Sequence, residues 1–189
     1  MTKTLCLAAL LALSGTLVSA QTPSAAPTPS TAPVATPAST PVTTPAVTAK
    51  PDLTGTWKLN LAKSSYDPVP APESETIVFS KTGSTCTIAT TSDNERGKEV
   101  YALPFTTDGT ETATPKGIFP DTATLQYLST TGEWQDSALV LTQKISYQSS
   151  PGTLKSTFTL SADGKTLTRA MHISVDQGEF DTTSVYDKQ

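Results

Sequence analysis

The chain has 189 residues, of which 36% are apolar and 16% charged, and its 13 basic and 17 acidic residues give a formal net charge of -4. A basic nucleic-acid-binding protein is excluded by this charge balance, and two cysteines are too few for a disulfide-stapled scaffold. The length suits one globular domain, for which roughly 100–200 residues are usual.

Residues 1–20 have the pattern of a secretory signal peptide. Lys3 precedes an apolar run from Leu5 to Val18, and the small residues Ser19 and Ala20 follow it. The run of about fourteen residues is short for a membrane span, although an uncut anchor is the alternative. We therefore expect an exported protein, periplasmic or extracellular, with no membrane span in the mature chain.

Residues 21–51 form a segment rich in Pro, Thr and Ala, with eight Pro and eight Thr. Proline removes amide donors and favours extended conformations, and the small side chains offer little to pack. The segment is predicted to be a disordered linker that acts as a semi-rigid spacer. Its composition also resembles O-glycosylated stalks, and an unmodified tether is the simpler alternative.

Residues 52–189 form the folded unit, in which 25 of 138 residues are Thr. Threonine suits the solvent face of strands, and no amphipathic helical stripe occurs. Short alternating runs separated by glycine-containing turns predict about nine strands. Their approximate positions are 54–59, 75–80, 84–90, 98–103, 122–128, 138–143 with an extension to 147, 153–160, 166–173 and 180–186.

These successive hairpins predict an all-β, antiparallel up-and-down barrel of about 8–10 strands. Turns such as Asp108-Gly109 and Asp163-Gly164 supply the positive φ angles that tight hairpins need. Closure into a barrel hides the sheet edges, and a β-sandwich is the alternative. Two further turns are predicted at Thr131-Gly132 and at Pro151-Gly152.

Arg169 lies in phase with the apolar positions Leu167, Met171 and Ile173 on a predicted strand. A guanidinium that faces the barrel interior needs a carboxylate or an aromatic partner. Arg169 is therefore expected to have such a partner inside the barrel.

Several segments together resemble exported bacterial lipocalin-like β-barrel proteins. The opening strand contains Gly55-Thr56-Trp57, similar to the Gly-x-Trp strand of lipocalin-like barrels. Segments that also match this group are 61–64, 68–72, 105–109, 160–168, 178–181 and 185–189. The matches cover most of residues 52–189 and none of the linker.

The resemblance implies a barrel and, as in lipocalins proper, a small apolar ligand in its interior. It also implies that a late-strand arginine packs over the tryptophan, so Arg169 is expected to form a cation–π pair with Trp57, worth about 0.5–2 kcal/mol. Recognition of a ligand carboxylate by Arg169 is the alternative role.

Aromatic side chains are the candidates for lining a ligand site, because rings give apolar contact with one polar handle. The alternative is that they only fill the core of a small barrel. The ligand-lining candidates are Trp134, Tyr101, Phe105, Tyr127 and Phe158.

No catalytic, metal or cofactor site is expected. The single histidine, His172, alternates with apolar neighbours and is predicted to face solvent. Cys86 would be left alone after removal of Cys6 with the signal peptide, and it is predicted to be a small buried side chain, with a reactive or intermolecular thiol as the alternative. The carboxylates at Glu95, Glu99, Asp108, Glu111, Asp163 and Asp176 fit turn chemistry, and a hydrolase that uses them is the least favoured hypothesis.

The sequence is consistent with two functions. The first is a non-enzymatic barrel that binds a small apolar or amphipathic molecule. The second is a structural or protein-interaction module tethered at the cell envelope by its linker. An interior cavity of about 300 Å³ or more favours binding, whereas a filled core favours the structural role.

Overall fold

Alternating apolar and polar residues fold into a ten-stranded antiparallel sheet. The computed structural model describes residues 50–95, 97–120 and 123–189, so the signal-peptide prediction and nearly all of the linker prediction fall outside the described residues. One turn of 3-10 helix, Leu61–Lys63, follows the first strand. The strands are β1 Gly55–Leu59, β2 Ser74–Thr82, β3 Thr85–Asn94, β4 Gly97–Phe105, β5 Asp108–Ala113, β6 Leu125–Gln135, β7 Ala138–Tyr147, β8 Ser150–Leu160, β9 Thr166–Val175 and β10 Gly178–Lys188.

The sheet curls into a nearly closed barrel. Its strand order is β4-β3-β2-β1-β10-β9-β8-β7-β6-β5, so every neighbour is sequential except the pair of β1 and β10. β4 and β5 are the two ends of the hydrogen-bonded order, and β4 also approaches β6. The predicted up-and-down barrel is confirmed. In the part of the chain that the structure describes, no helix is long and apolar enough to cross a membrane.

The tenth strand, β5, is where the sequence predicted only a turn. β5 is almost wholly exposed and contains Asp108, Gly109 and Glu111, so it carries no apolar alternation to reveal it. It pairs with β6 through a register shift between Asp108 and Glu111. Pairing with a longer strand, rather than burial of its own side chains, holds β5 in place.

Two predicted turns are wrong because their glycines serve close packing. A Cβ on Gly132 would lie 2.4 Å from the Thr106 carbonyl oxygen, and Gly132 lies inside β6. A Cβ on Gly152 would lie 2.7 Å from Val175, and Gly152 lies inside β8. The actual turns come at Asp136-Ser137 and at Gln148-Ser149, where Asp136 and both residues of the second pair have positive φ.

The hydrophobic core is a cluster of buried side chains inside the barrel. Phe79 and Phe158 meet edge to face with ring centroids 5.2 Å apart, an arrangement that aromatic quadrupoles favour. Trp57 is fully buried, and its Nε1 donates to the Leu53 carbonyl at 2.9 Å. The other buried apolar residues of this cluster are Leu53, Ile77, Ile88, Leu103, Phe105, Leu139, Leu141, Leu167 and Tyr186.

Candidate functional site

A buried ion pair lies at the centre of the barrel. Arg169 points inward from β9, as its phase predicted. Glu75 points inward from β2, and β1 and β10 lie between β2 and β9 in the sheet. Arg169 Nη2 lies 3.1 Å from Glu75 Oε1, and each residue is only 8% exposed. Because an isolated buried charge is costly, the two charges stabilise the fold only as a pair.

Hydroxyl groups extend this ion pair into a network. Tyr186 donates to the same Oε1 of Glu75 that accepts from Arg169. The guanidinium also lies 3.5 Å from Ser184 Oγ, which is 2.8 Å from the Tyr66 hydroxyl. Tyr66 belongs to the connection between β1 and β2, so the network ties this connection to the interior.

The electrostatics of the network leave one positive and one negative charge. Burial has the largest single effect on the pKa of Arg169 and lowers it, but the attraction of the Glu75 carboxylate and the smaller contributions of three nearby tyrosines together outweigh burial, so the pKa lies above its usual value. Burial raises the pKa of Tyr186 and of Tyr127 well above that of a free phenol, and burial also raises the pKa of Tyr101. These phenols are therefore neutral at pH 7. The positive charge of Arg169 and the negative charge of Glu75 then cancel in the interior.

The predicted pairing of Arg169 with Trp57 is replaced by two other contacts. The guanidinium carbon of Arg169 lies 5.6 Å from the ring centroid of Tyr186, whereas Lys188 Nζ lies 5.2 Å from that of Trp57. The register explains the exchange, because Lys188 is directly opposite Trp57 and Arg169 is opposite Ser184. Four residues along a strand separate these positions by about 13 Å.

A small void borders Arg169 inside the barrel. Its volume is about 20 Å³, and its lining includes Thr90, Gln143 and Ser156 as polar residues. Arg169 Nε is buried and has no hydrogen-bond partner among the described residues. The void has room for about one water molecule and none for a larger ligand.

A much larger cavity, here called the end cavity, opens at one end of the barrel. Its volume is about 530 Å³. It lies where the hairpins β3–β4, β7–β8 and β9–β10 meet the connection between β1 and β2. Its apolar lining includes Val69, Leu125, Ile145, Leu154, Ile173, Val175 and Phe180, and its polar lining includes Asn94, Glu95, Gln148 and Gln177.

A second cavity, the side cavity, lies between β4 and the start of β6. Its volume is about 420 Å³. Three of its lining residues, Tyr101, Phe119 and Tyr127, form an aromatic cluster with ring centroids 5.2 to 5.6 Å apart. Leu125 lines both this cavity and the end cavity, so the two spaces are neighbours.

The five predicted lining aromatics have separate locations. Tyr101 and Tyr127 line the side cavity and also border the central void, which Phe158 borders too. Phe105 is buried in the core, and Trp134 packs against the core from a half-buried position. The end cavity is instead lined mainly by aliphatic residues. The sequence prediction considered only aromatic side chains, so it did not group these residues.

The acidic residues that suggested a hydrolase have local partners in several cases. Asp108 accepts from the Thr106 hydroxyl at 2.6 Å and from the Thr110 amide at 3.0 Å, and these bonds lower its pKa to about 2. Glu111 pairs with Lys144 at 2.8 Å across the outer surface. These are the turn and surface roles expected of exposed carboxylates.

His172 and Cys86 occupy unremarkable positions on the sheet. His172 faces outward, as predicted, with its Nδ1 2.9 Å from Asp181. Cys86 is half-buried against the core, and burial raises the pKa of its thiol. No cluster of metal-ligating residues occurs within the described ranges.

The Cys86 thiol is expected to react slowly with disulfide reagents in the folded protein. A raised pKa leaves less thiolate at any pH below it, and the thiolate is the nucleophile. At pH 8 the rate with an aromatic disulfide reagent should be several-fold lower in the native protein than in the urea-unfolded chain. Equal rates in the two states would contradict this expectation.

Comparison with known proteins gives matches of fold only. No protein-family model matches the chain, and no curated protein matches it. Among solved structures, an abundant heat soluble (SAHS) protein from Ramazzottius varieornatus aligns with a TM-score of 0.51 and 11% identity, covering 72% of this chain and 95% of that chain.

Two solved ligand complexes align less closely. The zebrafish ileal bile acid-binding protein with cholic acid has a TM-score of 0.45 and 15% identity, covering 72% of this chain and 98% of that one. The Schistosoma mansoni fatty acid-binding protein with arachidonic acid has a TM-score of 0.44 and 16% identity, covering 72% and 95%. By their names these two are binding proteins rather than enzymes. The strand order of the chain and its likeness to the SAHS protein define a lipocalin-like β-barrel.

Proposed function

We propose that the protein is a non-enzymatic barrel that binds a small apolar or amphipathic molecule in the end cavity. The observation that carries this proposal is the volume of about 530 Å³ behind a mostly aliphatic lining. Ligand sites of proteins are typically concave, largely apolar and about 300–1,000 Å³ in volume. Export of the chain and its tethering by residues 21–51 remain part of the proposal, on the sequence pattern alone.

The ligand lies at the barrel end in this proposal, and not at the centre. The centre holds the Glu75–Arg169 pair, its hydroxyl partners and a void of about 20 Å³. Leu154 separates the two spaces, since it lines both of them. An apolar ligand would therefore fill the aliphatic end and stop above the charged network.

Filling the end cavity tests the proposal. Ile173 lies on β9 between Leu154 and Phe180 in the strand register, and all three line the cavity. In Ile173→Trp the larger ring should occupy the space, so that the uncharged dye Nile red binds at least about tenfold more weakly, which equals about 1.4 kcal/mol. Fluorescence titration measures the dissociation constant of the dye, and native mass spectrometry detects a ligand retained from expression.

Val78→Trp is the matched control, because Val78 is exposed on the outer face of β2 and lines none of the three cavities described above. It adds the same ring to the protein without changing the end cavity, so dye affinity should stay at the wild-type value. Absence of dye binding to the wild type, or equal affinities for wild type and Ile173→Trp, would reject the end cavity as the binding site.

A further inference from the structure

We infer that Glu75 sets the charge of the ligand, so that the end cavity accepts apolar molecules with a non-acidic polar end and rejects carboxylic acids. This inference rests on the proposed function of the end cavity and specifies the chemical class that it takes. It follows from the charged pair that lies beyond Leu154, past the inner end of that cavity, and from the charge at its rim.

The inner end offers no free cation to an acid. Among the described residues that line the end cavity or the central void, Arg169 is the one cation. Its guanidinium already lies 3.1 Å from Glu75, whose Oε1 also accepts from Tyr186. A ligand carboxylate brought to this point would face the Glu75 carboxylate, and like charges at close range in a buried site repel strongly.

The inner end also lacks the space for a carboxylate. Beyond Leu154 the void next to Arg169 has a volume of about 20 Å³. This is enough for about one water molecule, so a ligand carboxylate could not enter the void without displacing a side chain. Glu75 is already the counter-ion of the cation that an acidic ligand would need.

Among the described residues, the outer end is no more favourable to an acid. The described polar residues at the rim include Glu95, Gln148 and Gln177, and of these three Glu95 carries a charge. The formal net charge of the chain is -4, which adds a weaker long-range repulsion of anions. A neutral hydroxyl can hydrogen-bond to such a rim without a counter-ion, whereas a carboxylate would be partly desolvated beside another carboxylate.

The test compares two probes that differ only in the polar end, dodecanol and dodecanoate, as competitors of Nile red at pH 8. For the wild type we expect a dissociation constant at least about tenfold larger for dodecanoate than for dodecanol. In Glu75→Ala the ratio of the two constants should fall by about tenfold or more, because Arg169 loses its counter-ion and the space of the side chain opens. Dodecanoate should also raise the Tm of Glu75→Ala more than that of the wild type.

Two variants keep the result interpretable. Glu75→Gln removes the charge while nearly preserving the shape, so it should shift the ratio in the same direction even where Glu75→Ala does not fold. Glu133→Ala removes one negative charge from an exposed position in β6, near the β6–β7 hairpin at the other end of the barrel, and should leave the ratio at the wild-type value.

The possible outcomes separate the inference from the proposed function. Dodecanoate binding as tightly as dodecanol to the wild type would overturn the charge rule and leave the end cavity as a binding site. An unchanged ratio in a folded Glu75 variant would overturn the role of Glu75. Failure of Nile red and both competitors to bind the wild type would overturn the proposed function itself.

Discussion

Replacing Arg169 by Met is expected to lower the free energy of unfolding by about 3–5 kcal/mol, the usual cost of removing one partner from a buried ion pair. Methionine retains much of the aliphatic stem, so the loss arises mainly from the Glu75 carboxylate, which is 8% exposed and would have no counter-ion. The Tyr186 hydrogen bond to Glu75 would remain but cannot neutralise the charge. Urea unfolding at pH 7 measures the difference.

The double variant Glu75→Gln/Arg169→Met tests whether the unpaired charge causes this loss of stability. It leaves no buried charge, so it should be more stable than Arg169→Met alone by at least about 1.5 kcal/mol. A double-mutant cycle completed with Glu75→Gln gives the coupling energy of the pair. If Arg169→Met costs less than about 1 kcal/mol, the network does not stabilise the fold in the way that its geometry indicates.

Gly132→Ala is expected to destabilise the protein by about 1–3 kcal/mol, in the range of overpacking in a close-packed interior. The added Cβ would lie 2.4 Å from the Thr106 carbonyl oxygen and 2.7 Å from a ring carbon of Phe105. One of these atoms is backbone, so a rotamer change cannot relieve the whole clash. Replacement of Gly by Ala usually stabilises a strand by restricting the unfolded chain, and the expected sign here is the opposite.

Thr131→Ala serves as the control for Gly132→Ala, because Thr131 is the adjacent residue of β6 and is only half-buried. It should change the free energy of unfolding by well under the effect at Gly132, within about 1 kcal/mol. Thermal or urea unfolding of both variants measures the two changes in the free energy of unfolding. A Gly132→Ala protein as stable as the wild type would show that the strand can move away from Thr106 at little cost.

The barrel was predictable because most strands alternate. Runs such as Ile77 and Phe79 on β2, or Leu154 and Phe158 on β8, face the core at every second residue and reveal their strands directly. β5 could not be found in this way, because its residues are exposed on both faces and its pairing with β6 is shifted. Glycine was the other source of error, since Gly132 and Gly152 allow close packing instead of turns.

The candidate site was only partly predictable. Arg169 stood out because a charged residue in an apolar phase needs a partner, yet the same argument applies to Glu75, which shares the inward phase of Ile77 and Phe79. Pairing these two in-phase charges would have located the centre of the barrel. The end cavity gave no such signal, because its aliphatic residues on strands come from four of them, β6 to β9, whose individual patterns are those of any core.

The open seam of the barrel has a consequence for the behaviour of the protein in solution. Strands at the ends of a sheet carry backbone groups that can pair with another chain and start aggregation. β4 carries Lys98 and Glu99 near one end and Pro104 near the other, and β5 is a short strand with Asp108 and Glu111. Charge, proline and short length are the features that discourage strand addition. The barrel can thus stay open at this seam while its two edge strands remain poor templates for a second molecule.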